Sequence, residues 1–270
     1  MAVLNALKES PGALWRNPVL IVPILALVIL QAPMFASEFI DPIMAALISV
    51  GLSLVFVVLM PFFQGGIIGM ADEALSGKTT LRTFFSAGKS NYISLFGAYL
   101  LILAINVVLG IGFVLFMFLG LGAAYLGGDG TSAVPILVVA GGGLLLALFY
   151  FLFTFFIQFY SQAIVLDGVG AIDGIQRSYT VVRNNLAATF GYSILVGVIG
   201  GIFGLFISVI SILASPPALA AMEIPTLPLE WLVGFAGFGG VLTLVIGTFL
   251  AIYSVSFYEA ITEPVQATTH

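Results

Sequence analysis

Six long runs of apolar residues, none broken by a charged side chain, constrain this chain more than any other feature. A helix needs about 20 mostly apolar residues to cross a bilayer. The runs cover residues 18–35, 44–63, 92–120, 135–160, 186–213 and 231–257. The third continues as far as Tyr125, longer than one crossing requires, so tilt or an extension beyond the membrane is expected there. Barrel strands alternate apolar and polar residues over about 10 positions, whereas these runs are apolar on every face. The chain reads as all-α, a six-helix transmembrane bundle in a single domain over residues 1–270.

Composition agrees. Only 7% of the residues are charged and 61% are hydrophobic, against about 25% charged in a soluble domain. There is too little polar surface to cover a ball, so most of the solvent must be lipid. Lys8 and Arg16 precede an apolar stretch ending in small residues, the outline of a signal peptide. The site before Ser37 reads Met34-Phe35-Ala36, and Met34 is too large for small-x-small cleavage, so the first run is read as a span.

The connecting segments are of two sorts. Residues 37–42, 127–133 and 215–230 contain Glu38, Asp41, Asp129, Glu223 and Glu230 and no base. The N-terminus, residues 72–89 and residues 167–183 hold every basic residue: Lys8, Arg16, Lys78, Arg82, Lys89, Arg177 and Arg183. Six crossings put those three segments and the C-terminus on one side, which the positive-inside rule makes cytoplasmic.

A shift of 94 positions aligns Gln64 with Gln158, Glu73 with Asp167, Lys89 with Arg183, Asn91 with Asn185, Phe96-Gly97 with Phe190-Gly191 and Gly110 with Gly204. The N-terminus gives a fainter third copy, with Ser10 matching Ser178 and Asn17 matching Asn185. The pattern implies three repeats, each a cytoplasmic amphipathic helix followed by a transmembrane hairpin. The amphipathic helices are expected at residues 2–16, 79–89 and 171–183. In the last, Ile172, Ile175, Tyr179 and Val182 form an apolar stripe away from Asp173, Gln176, Arg177, Thr180 and Arg183. In the second, Leu81, Phe84 and Phe85 oppose Arg82, Ser86 and Lys89. The first has Leu4 and Leu7, then Ser10-Pro11, which predicts a new turn started by capping. Such helices lie in the interface with the apolar face in the acyl boundary and the bases toward phosphates. Gly77 and Gly168 stand where the preceding helices should end.

Reactive chemistry is scarce. Cysteine is absent and the one histidine is the final residue, His270, so disulfides and zinc–thiolate sites are excluded. Gly77-Lys78-Thr79 ends like a P-loop, but Asp72 stands where that loop needs a glycine, and a turn between helices explains it better. Asp72 and Glu73 are adjacent and point apart on a helix. No ionisable acid, base or histidine falls inside a run. Buried charges are usually kept for transport or proton relay, so their absence argues against a proton-coupled transporter or an intramembrane hydrolase. No catalytic residue, metal ligand or cofactor is expected. Gln64, Asn106 and Gln158 are the candidates for a polar cleft, against the plainer reading of interhelical hydrogen bonding. Glycines four apart in the fifth run, Gly197 with Gly201 and Gly200 with Gly204, suit close helix approach, with packing inside one chain the expected use.

Val19 to Pro23, Pro61-Phe62-Phe63-Gln64-Gly65-Gly66, Met70-Ala71-Asp72-Glu73-Ala74-Leu75, Gln158-Phe159-Tyr160, Gln162 to Asp167, Arg177-Ser178 and Arg183-Asn184-Asn185 resemble a family of uncharacterised multi-pass membrane proteins of haloarchaea. The helix–span–span pattern is more distantly similar to the membrane domain of some glycerophosphodiester phosphodiesterases. The soluble catalytic barrel of those enzymes is missing here, so the resemblance implies no activity. It implies an archaeal plasma membrane and high salt, which the net charge of -5 fits.

The sequence supports a non-enzymatic membrane protein. Its seven basic residues would contact lipid headgroups or a protein partner, in the membrane, in the cytoplasm or a second copy of the chain. The acidic balance argues against nucleic acid. The alternative is a channel or carrier for a neutral or apolar solute.

Overall fold

The computed structural model describes residues 2–36, 41–126, 133–214, 219, 225 and 228–262. Glu38, Asp129, Glu223 and His270 fall outside them. Among the described residues the backbone is helical and contains no strand. In chain order the elements are α1 (Ala2–Arg16), a 3₁₀ turn (Pro18–Leu20), α2 (Ile21–Ala36), α3 (Pro42–Ser76), α4 (Leu81–Ser90) and α5 (Tyr92–Leu126). Then follow α6 (Ala133–Ile157), α7 (Tyr160–Leu166), α8 (Ala171–Asn184), α9 (Leu186–Ala214) and α10 (Leu229–Thr262). A short amphipathic helix thus precedes two long apolar stretches three times along the chain.

Five of the helical stretches are long and apolar enough to cross a membrane on their own. The first run qualifies only together with α1, from which it is bent by 93°. Its shortness is a matter of how it begins. The 16 residues of α2 rise about 24 Å, and the 3₁₀ turn adds about 6 Å, which matches a hydrocarbon core of about 30 Å. By contrast α3 has 35 residues, about 52 Å. It runs on past residue 63, so residues 64–76 project beyond a bilayer-deep segment. Its start is fixed by Asp41, whose carboxylate accepts the Ile43 and Met44 amides at 2.9 and 3.4 Å, with Pro42 in the first turn.

The helices form two compact units, residues 1–90 with 185–270, and residues 91–184. The boundary residues Asn91 and Asn185 are the pair matched by the 94-residue shift. In the first unit α4 folds back onto α3, and α1 packs on α10. In the second, α8 packs on α6 and α7. Each amphipathic helix therefore rests on the end of a long helix that leads toward it, or, for α1, on the last helix of the chain. Connections of four residues, Gly77–Thr80 and Asp167–Gly170, force the reversals. Gly168 adopts φ +69°, a left-handed conformation natural to glycine.

Burial is concentrated near these reversals. Ile68, Met70, Ala71 and Ala74 of α3, Phe84 of α4 and Ile252, Tyr253, Phe257 and Tyr258 of α10 are buried in the first unit. Leu95, Ala98, Phe159, Ile164 and Val182 are buried in the second. The far halves of the long helices leave Leu47, Val50, Phe118, Leu144, Val198 and Leu205 exposed. Lipid tails are as apolar as leucine, so burial against protein has no hydrophobic advantage at that depth. Near the interface it does, and there the core forms.

The amphipathic helices bury small residues, while several large members of the apolar stripes stand exposed. In α8 the buried residues are Gly174, Ser178, Val181 and Val182, while Ile172 and Tyr179 are exposed. In α4 they are Phe84 and Gly88, with Phe85 exposed. In α1 they are Ala6, Ser10 and Ala13, with Leu4 exposed. Close approach selects small residues. A Cβ on Gly66 would stand 2.3 Å from the Phe84 ring, and one on Gly88 2.9 Å from the Phe62 carbonyl oxygen. The expected new turn at Ser10-Pro11 does not occur, because α1 is continuous through Pro11. Ser10 Oγ instead donates to the Ala6 carbonyl at 2.6 Å.

The glycines of the fifth run are a further correction. A Cβ on Gly197, Gly200, Gly201 or Gly204 would meet nothing within 4 Å. The glycines at which a Cβ would come within 3 Å of a neighbour, Gly66, Gly69, Gly88, Gly120, Gly142 and Gly174, lie elsewhere.

Candidate membrane-interface site

Each amphipathic helix presents three faces built from its sequence. A face that includes small residues packs on protein, other large apolar side chains stand exposed, and basic residues are exposed beside them. Lys8 and Arg16 on α1, Lys78 in the connection before α4, Arg82 and Lys89 on α4, and Arg177 and Arg183 on α8 are all exposed. Trp15, next to Arg16, is 86% exposed, an amphipathic ring of the kind that sits at headgroup level. The first unit carries five of the bases and the second Arg177 and Arg183. Arg177 Nε donates to Asp167 Oδ2 at 2.9 Å in an ion pair. Both side chains are partly open to solvent, and such pairs contribute at most about 1 kcal/mol.

Polar side chains clamp the reversals. Asn17 is buried between α1 and the end of α3. Its Nδ2 donates to the carbonyls of Ala13, Ala74 and Gly77 at 3.1, 3.4 and 3.0 Å, and its Oδ1 accepts the Thr79 amide at 2.9 Å. Asn185, its sequence match, donates to the Ile261 carbonyl at 3.3 Å. The Glu73 carboxylate accepts from the Thr79 hydroxyl at 2.8 Å and from the Thr83 hydroxyl. The Thr83 and Thr79 bonds hold its carboxyl below the ordinary value, overcoming the opposing effect of burial. In the second unit Ser178 Oγ enters the break between α6 and α7. It donates to the Phe156 carbonyl at 2.9 Å and accepts the Phe159 amide at 3.1 Å.

The three cleft candidates fall at different places. Gln64 lies in the first unit, and Asn106 and Gln158 in the second. Gln158 Nε2 donates to the Phe155 carbonyl at 2.9 Å. Asn106 lines a cleft of about 360 Å³ between α5 and α6, with Leu109, Gly110, Phe113, Leu146, Ala147 and Tyr150. Tyr150 was not among the sequence candidates. The signal available was a phenol deep inside an apolar run, away from the interface where tyrosine usually sits. Among the described residues no three acidic or histidine side chains gather as metal ligands would.

No solved structure matches this chain. It is similar to an uncharacterized protein of Archaeoglobus fulgidus, 29% identical over 145 residues, which are 53% of this chain and 48% of that protein. The match thus spans about half the length of the relative. A family model covers nearly the whole sequence, residues 1–261, and by it the chain belongs to the family described as Domain of unknown function (DUF7847).

Proposed function

We propose that this membrane-embedded protein is non-enzymatic and engages anionic lipid headgroups, or an acidic surface of a partner protein, through its three basic amphipathic helices. In this reading the helices are the leading parts of three sequence repeats. They lie at the cytoplasmic face of an archaeal plasma membrane, the haloarchaeal type being the expected host, and both termini are cytoplasmic. The observation that carries the reading is the three-faced construction of α1, α4 and α8. Large apolar side chains such as Phe85, Ile172 and Tyr179 stand exposed beside exposed bases. Water would disfavour that arrangement, while a headgroup–acyl boundary solvates both faces. The 93° turn after α1 supports it, since a helix perpendicular to a span lies in the membrane plane.

Each base near an anionic surface contributes about 1 kcal/mol. Replacing Arg82, Lys89, Arg177 and Arg183 together with Gln should strip co-purifying anionic lipid, measured by mass spectrometry of lipid extracted from the detergent-purified protein. Native-level retention in that variant would refute the headgroup reading. Added salt should mimic the substitutions, because exposed charges are screened over about 10 Å at 0.1 M.

A further inference from the structure

The cleft between α5 and α6 shares no lining residue with the basic helices and differs from them in chemistry. Asn106 and Tyr150 stand in the interiors of two apolar runs, and Asn106 is 14 residues, about 21 Å, into α5. Their polar groups are therefore at hydrocarbon depth. One Nδ2 hydrogen of Asn106 is used on the Ile102 carbonyl at 2.8 Å. Among the described residues no protein group meets Asn106 Oδ1 or the Tyr150 hydroxyl. The walls, Leu109, Phe113 and Leu146, are apolar, and no charged side chain lines the cleft. Its volume of about 360 Å³ falls within the range of small-molecule sites, about 300–1,000 Å³. Gly110 keeps one wall open, because a Cβ there would meet nothing within 4 Å.

We propose that this cleft binds the chain of a neutral lipid bearing a hydroxyl group at mid-membrane depth. A plain acyl chain fills the volume but leaves both polar groups unpaired in hydrocarbon, which is costly. A charged group would find no partner. A carbonyl accepts only, and leaves Asn106 Oδ1 unsatisfied. A hydroxyl accepts from the Tyr150 phenol and donates to Asn106 Oδ1, so it uses both faces of the pair.

The test uses three esters that differ at one carbon: methyl 12-hydroxystearate, methyl stearate and methyl 12-oxostearate. Each is titrated against the full chain in nanodiscs and followed by native mass spectrometry. The hydroxy ester should bind about tenfold tighter than methyl stearate, the ratio expected of an interhelical-strength hydrogen bond in lipid. Gly110→Leu should abolish the preference while the ligand-free Tm stays unchanged, since leucine favours helix over glycine. Ala147→Leu, on the facing helix, should do the same and covers a failure of the first variant to fold. Asn106→Leu and Tyr150→Phe should each weaken it. The Gln variant of the four bases should keep it, which separates this site from the headgroup reading. Equal binding of hydroxy ester and methyl stearate, or a preference that survives both leucine substitutions, would overturn the proposal. Oxo ester binding as tight as hydroxy ester would overturn the hydroxyl assignment.

Discussion

Glu73 holds the corner between α3 and α4 by accepting two threonine hydroxyls, and this makes the corner sensitive to acid. Its folded-state pKa lies below the ordinary 4.5 because the Thr83 and Thr79 bonds favour the carboxylate. The sign follows from linkage. A depressed carboxyl contributes stability that is complete above its unfolded value and is lost as pH falls through the folded one. Tm followed from about pH 6 to about pH 3 should fall in the native protein, with part of the fall attributable to this group. Glu73→Gln should lower Tm at the upper end and remove that part of the slope. An unchanged slope in the variant would place the acid sensitivity elsewhere. Neither this clamp nor the four bonds of Asn17 was legible in the sequence, because their partners are backbone carbonyls and hydroxyls of the next turn. The sequence did single out Asn17 and Asn185 as matched. In the structure both amides donate to carbonyls near the end of a long helix, α3 for Asn17 and α10 for Asn185.

At the scale of elements, apolarity locates the long helices well and their ends poorly. Hydrophobic length reports the thickness of the bilayer, whereas a helix continues for as long as its backbone has partners. Thus α3 continues through Gln64 to Ser76, and α10 through Glu259 to Thr262. The break after Ile157 is invisible for the opposite reason. Gln158-Phe159 carries no breaker residue, and the interruption is completed by Ser178 from another element. That bond predicts a selective weakness. Ser178→Ala would remove both bonds that close the break, at a cost of about 1–3 kcal/mol. Amide exchange should rise across residues 156–182. Thr180→Ala, which removes only an exposed bond within α8 to the Gln176 carbonyl, should stay within about 0.5 kcal/mol of the native protein. Matching exchange in the two variants would show that Ser178 does not secure α8. The amphipathic helices themselves were placed to within about two residues by periodicity, a margin normal for helix ends. The small residues on which they pack against protein, such as Gly88, Gly174 and Ser178, leave no mark in an apolar pattern.

For the whole molecule, the distribution of charge and its vectorial consequence can be checked directly. The natural absence of cysteine provides a silent background for single-cysteine labelling. Ser86→Cys, on the exposed side of α4, should react with a membrane-impermeant maleimide only after cells are permeabilised. Glu230→Cys, at the start of α10, should react in intact cells. The reverse pattern would invert the orientation given by the basic residues. The division of the helices into two units had no counterpart in the composition, which is uniform along the chain. Only the 94-residue offset between Asn91 and Asn185 marked where the boundaries would fall.

The packing of α1 on α10 links two segments made far apart in time. Glu9 and Ser256, in contact at 3.3 Å, are separated by 247 residues. At about 5–20 residues per second, ribosomes deliver the second roughly 12–50 s after the first. Throughout that interval the side of α1 that meets α10 lacks that partner, and Glu9 gains Ser256 only once α10 is in place. Full docking of α1 is thus a late event, timed by the arrival of a helix made long after it.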